Sequence, residues 1–127
     1  MTLVYRLVLA AAMVVSGGVH AYLYVHGYRH IPTVGTGFLM QAAVFCSVGV
    51  LILAGAPSWF LWVAGLFSAG ALGAFALSRT VGLAGFVEKG WEPAPYALVS
   101  AVAEIAAVLA VAAWAVQASR QRSTPRA

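Results

Sequence analysis

Acidic residues are scarce in this chain, three in 127, and charged residues of either sign make up only 8% of it. That poverty excludes a soluble domain, because no core of this size could hide so much apolar surface from water. Cys46 is the only cysteine, which excludes an intramolecular disulfide and any multi-cysteine metal or cluster site and leaves the thiol as a small hydrophobe. Histidines are confined to the first quarter of the chain, at 20, 26 and 30. The later apolar stretches therefore offer no imidazole for a haem gripped between facing helices. Phosphate-cradling glycine loops, a nucleophile elbow, HExxH and CxxC are all missing, so no enzyme chemistry is read from the sequence.

What is present in abundance is hydrocarbon: 63% of the residues are hydrophobic, and the bilayer must be the main solvent. The net charge of +4 is thinly spread, with Arg120, Arg122 and Arg126 grouped after the last apolar stretch. That is the pattern of a cytoplasmic membrane flank, so lipid is the expected partner and nucleic acid is not.

Runs of about 17 to 25 apolar residues mark four spans, at 3–25, 34–54, 58–77 and 95–116. Lipid offers the backbone no hydrogen-bond partners, so each run must be a helix. The expected fold is all-α, an up-down-up-down bundle of four transmembrane helices in a single domain, followed by a basic, flexible cytoplasmic tail at 117–127. Residues 1–21 imitate a secretory signal, with Arg6 before an apolar run and Val19-His20-Ala21 at the cleavage pattern. Apolar and aromatic residues continue through Val25, so an uncleaved first helix is expected. Arg6, Arg120, Arg122 and Arg126 at one side outnumber Arg29, Arg79 and Lys89 at the other. Together with the amino terminus they place both termini in the cytoplasm and the loops around Arg29 and Glu88 outside.

Helix association in lipid relies on small residues. Gly65, Ala69 and Gly73 form such a stripe on the third span. On the fourth, Ala97, Ser100, Ala101, Glu104, Ala107 and Val111 recur at helical spacing. Glu104 therefore lies on the close-packing face, turned from lipid, where a lone carboxylate would be costly.

His20 and Gln41 enter the first and second spans from the same side to similar depths. With Glu104 they form a candidate outward-facing site in which Glu104 accepts a hydrogen bond from His20 or exchanges a proton with it. Such a pocket could take a metal ion, a proton or a polar headgroup; alternatively the three groups satisfy one another and fix helix register. In the first loop, His26 and His30 would lie one turn apart and could chelate a divalent ion if the first helix continued. Gly27 and Pro32 oppose that, and interfacial side chains are the alternative. Arg29 shares this loop. In the second loop, Arg79 is placed to pair with Glu88 or Glu92 and pin the loop over the bundle mouth.

Ser78-Arg-Thr-Val-Gly-Leu83, followed by Trp91-Glu-Pro93 and an acid in the next apolar helix, resembles a pattern in small four-helix integral membrane proteins of actinobacteria. Gly27-Tyr-Arg-His-Ile-Pro-Thr-Val-Gly35 is similar to a second such segment. The resemblance covers about a quarter of the chain. It implies the architecture and draws interest to Arg79, Glu92 and Glu104, but carries no activity. Where such proteins show proline after Gly-Leu, this chain has Ala84.

Three functional readings follow. The first is a non-enzymatic accessory or scaffold subunit acting through helix packing and outer loops, with a membrane-protein partner or a second copy of itself. The second is a small transporter or ion-binding protein using His20, Gln41 and Glu104. The third is a subunit of a membrane redox complex contacting a quinone or haem held by another chain.

Overall fold

The computed structural model of the chain describes residues 2–124; Arg126 lies outside them. Four helices follow in order: α1 (Leu3–Val25), α2 (Val34–Leu53), α3 (Trp59–Arg79) and α4 (Tyr96–Ser123). Each is long and apolar enough to cross a membrane, and among the described residues there is no strand, only an isolated bridge between Leu83 and Phe86. The fold is the all-α, up-down-up-down arrangement that the run lengths predict.

Helix ends depart from the expected spans where local chemistry outlasts hydropathy. α3 continues two residues past Leu77 to Arg79, whose charge suits the negative end of the helix dipole. α4 continues seven residues past Val116, so 117–123 is helix rather than flexible tail. Gln117, Ala118, Arg120, Gln121 and Arg122 include strong helix formers, and two arginines fall in the last turn. A helix does not stop where its hydrocarbon does.

α1 is the central helix. It packs against α2 on one side and α4 on the other, α3 rests on α4, and α2 and α3 scarcely meet although they are consecutive. The order around the bundle is therefore α2, α1, α4, α3, with an open side between the two ends of the series. Leu9, Met13, Ile52 and Leu61 are fully enclosed. The tight α1–α2 contact depends on glycine: a Cβ on Gly17 would lie 2.6 Å from Cys46 Sγ, and one on Gly49 would lie 2.9 Å from Val14 Cγ2 and 3.1 Å from the Ala10 carbonyl. At the termini end, Arg6 donates to the Ile52 carbonyl at 2.9 Å, in the last turn of α2, where the Gly55 amide also donates at 3.2 Å.

On α3 the structure corrects the expected stripe. The enclosed residues are Leu61, Ala64, Ser68 and Ser78, and Gly65 touches Val111, whereas Ala69 and Gly73 face outward. The helix carries small residues on several sides, so small size alone could not choose the buried one. Large apolar chains cover the outside, among them Leu66 at 72% exposure and Leu109 at 63%. Such a surface suits hydrocarbon and not water.

Two loop geometries shape the end of the bundle that carries the first and third connections. Before α2, the Val34 amide donates to the Pro32 carbonyl at 2.7 Å around Thr33, a β-branched residue held at φ +66 in a strained γ-turn. After α3, Leu83 and Phe86 exchange backbone hydrogen bonds at 2.8 and 2.9 Å across a two-residue turn. Both central residues, Ala84 at φ +49 and Gly85 at φ +80, have the positive φ that a type I′ turn requires. Proline could not hold Ala84's position there.

Candidate functional site

Glu104 is in the third turn of α4, about 12 Å from its start at 1.5 Å per residue, and only 3% exposed. Its burial follows from helical spacing: Ala97, Ser100, Ala101, Glu104, Ala107 and Val111, together with Ala103, are the enclosed residues of α4. That face meets α1, where Ser16 and Gly17 are enclosed.

Three donors converge on one carboxylate oxygen. Ser16 Oγ donates to Glu104 Oε1 at 2.7 Å, Ser100 Oγ at 2.9 Å from one turn earlier on the same helix, and Gln41 Nε2 at 2.9 Å from α2. Gln41 Nε2 also lies 3.4 Å from Ser16 Oγ. Three helices thus meet at one atom. All three donors are neutral, and among the described residues no cationic side chain reaches the carboxyl.

The second oxygen is different. Among the described residues Glu104 Oε2 accepts no hydrogen bond, and no fully enclosed side-chain oxygen or nitrogen is left without a partner. Oε2 is therefore open to the adjoining cavity. The carbonyl of Gln41 likewise makes no hydrogen bond there. His20 does not bond Glu104 as the sequence led us to expect: its Nδ1–H donates to the Ser16 carbonyl at 2.9 Å, and its ring packs edge-on against Phe38 at 4.8 Å. In the neutral ring that leaves Nε2 as a lone-pair nitrogen, also without a partner. The correction has a simple cause, since a backbone carbonyl one turn back on its own helix is nearer than a carboxyl on another.

These groups share a cavity of about 80 Å³ within the loop half of the bundle, lined by His20, Gln41 and Glu104 and, toward the loops, by Tyr28, Arg79 and Glu88. The structure thus brings together all three residues of the candidate polar site. It adds Ser16, which the sequence reading missed, and gives Ser100 a hydrogen-bonding role it had not been assigned.

The loops close over the same cavity. Arg79 lies 3.6 Å from Glu88 and donates to the carbonyls of Gly90, at 2.8 Å, and Glu92. Its guanidinium sits 4.3 Å over the Phe75 ring. Glu88, not Glu92, is the acidic partner; the Glu92 carboxylate instead accepts the Ala94 amide at 3.1 Å. Tyr28 spans the two loops, donating to both Glu88 oxygens at 2.8 and 3.0 Å. Burial first, then the hydrogen bond to Glu88, raises the Tyr28 phenol well above its ordinary range. It remains a donor at neutral pH.

The remaining first-loop candidates stand apart. α1 ends at Val25 and Gly27 turns the chain at φ +147, so His26 and His30 do not occupy successive turns of one helix. His26 Nδ1 bonds the Tyr22 carbonyl at 2.8 Å and stacks on the Tyr22 ring, while Arg29 Nε donates to His30 Nε2 at 3.0 Å. Among the described residues no three His, Cys, Asp or Glu side chains gather as a metal site would need.

A bundle of four spans around a shared polar chamber defines a multi-pass membrane protein. No protein-family model matches the chain, and neither curated proteins nor solved structures include a significant match to it.

Proposed function

We propose that this is a non-enzymatic membrane protein that binds a cationic or hydrogen-bond-donating group in the chamber at His20, Gln41 and Glu104. The observation that carries the reading is a buried carboxylate held from three helices through one oxygen, with the other open. A charge at this depth is costly unless a cation or a proton meets it. Glu104 Oε2, the Gln41 carbonyl and the neutral His20 Nε2 are all acceptors, so the chamber is chemically matched to a donor. With the termini in the cytoplasm, the chamber lies in the outer half of the membrane.

Calorimetric titration of the purified protein in nanodiscs with a series of primary amines tests this reading. Binding of at least some members should weaken about tenfold or more in Glu104→Gln, the loss of one charge-assisted contact. If no amine distinguishes wild type from Glu104→Gln, the chamber is structural only.

A second reading, an accessory or scaffold subunit or a homo-oligomer, is favoured by the outward-facing Ala69 and Gly73 of α3. Small residues on a lipid-facing side allow a second helix to come close. Bifunctional crosslinking from Gly73→Cys in native membranes should then capture a discrete partner, and absence of any adduct would count against it. The redox-subunit reading has less support, because a quinone's carbonyl oxygens would face acceptors.

A further inference from the structure

Building on the amine-binding reading, we infer that the ligand is an amphiphile, a primary-amine head on a single hydrocarbon chain, which reaches the chamber sideways from the lipid between α2 and α3. The argument begins with size. About 10–15 Å³ of free space suffices for one water, so the 80 Å³ chamber accepts a group of a few heavy atoms and is too small for a sugar, while a phosphodiester would bring its negative charge against the Glu104 carboxylate. Anything larger must leave its remainder elsewhere.

The structure supplies that place. Where α2 and α3 splay apart, a groove of about 500 Å³ runs between them, walled by apolar side chains such as Val44, Phe45, Leu66 and Phe67. This volume falls in the range of about 300–1,000 Å³ usual for ligand pockets. Groove and chamber share Phe38, Gln41, Ala71 and Ala74 as walls, so the polar space and the apolar one adjoin at Gln41, with only these side chains between them. The other approach, from the loop end, runs past the Tyr28, Glu88 and Arg79 cluster.

Complementarity selects the head. The open atoms at the chamber are a carboxylate oxygen without a cation, an amide carbonyl and a ring nitrogen. An ammonium carries three N–H donors and no acceptor, the complement of acceptors of this kind, and its charge offsets that of the carboxylate. A fatty acid would bring a second carboxylate to the same point.

The groove can be filled without disturbing the chamber. Gly70 and Gly37 line it, one from each helix, and a Cβ on either meets nothing within 4 Å. The test uses wild-type protein in nanodiscs of zwitterionic lipid, labelled with a long-chain primary amine bearing a photoreactive group in its chain. The matching fatty acid serves as comparison and propylamine as the tail-less competitor. Crosslinks should map to groove residues such as Met40 and Phe67. Labelling should fall about tenfold or more in Glu104→Gln, in Gly70→Phe and in Gly37→Leu, with thermal midpoints of the glycine variants unchanged.

Unchanged labelling in both glycine variants would overturn the lateral route, as would crosslinks between two copies of the chain through the groove. Equal labelling by the fatty acid would overturn the choice of head. If propylamine binds as tightly as the long-chain amine, and in a Glu104-dependent way, the chamber reading stands and this inference fails. If neither amine depends on Glu104, the chamber reading fails with it.

Discussion

At the scale of single residues, the network on Glu104 Oε1 is fully satisfied, and its members should be costly to remove. Ser16→Ala takes away the shortest of the three donors and is expected to lower stability by about 1–2 kcal/mol. Thermal unfolding in detergent should detect this, with Ser119→Ala, at the exposed end of α4, unchanged. Tyr28 sets a pH dependence of the opposite kind from a carboxylate. Its phenol is raised above an ordinary value of 10.0 and works as a donor only while protonated. The loop contact is therefore complete below about pH 10 and lost as the pH climbs through the higher folded value. The phenolate absorbance of wild type minus Tyr28→Phe should show one tyrosine titrating later than the rest. Glu104 and Gln41 were legible in the sequence because a polar group in an apolar run has few reasons to be there. Ser16 was not, since a serine in a helix can satisfy itself on its own backbone. The pairing of Tyr28 with Glu88 crosses 60 positions and leaves no local pattern.

At the scale of elements, the α1–α2 contact predicts a sharp contrast between adjacent glycines. Gly17→Val would force a side chain into Cys46 and the α2 backbone and should destabilise by more than about 2 kcal/mol. Gly18→Ala, where an added Cβ meets nothing within 4 Å, should be neutral or slightly stabilising. In the α3–α4 loop, Ala84→Gly relieves a residue held at φ +49 and should stabilise by about 1 kcal/mol. Ala84→Pro cannot keep the turn and should lower the midpoint. Chemical unfolding of the four variants side by side decides both pairs. The buried face of α4 could be read because Glu104 had to turn from lipid and its helical neighbours followed. α3 has no such marker: Gly65, Ala69, Gly70, Ala71, Gly73 and Ala74 go round the helix, and the choice fell to whichever side met Val111. Span positions were legible from run length, but the last turns of α3 and α4 were not, because arginine ends a hydropathy plot without ending a helix.

At the scale of the whole molecule, the outward apolar belt is the feature that ties the fold to a bilayer. Leu66→Lys, on the most exposed large side chain of α3, should cost about 2.5–3.5 kcal/mol in a translocon insertion assay, whereas Lys at the loop residue Val81, exposed by 82%, should cost almost nothing. Equal costs would mean that the belt does not face hydrocarbon. The way the helices are seated also bears on how the molecule is made. A nascent chain releases α1 and α2 first, and these find each other at once. α3 arrives with only a small seat on them, since its main one is on a segment not yet synthesised. It must wait in the lipid until α4 slides in beside α1 and carries Glu104 to the two partners already in place, so the final helix both completes the assembly and creates its chemistry.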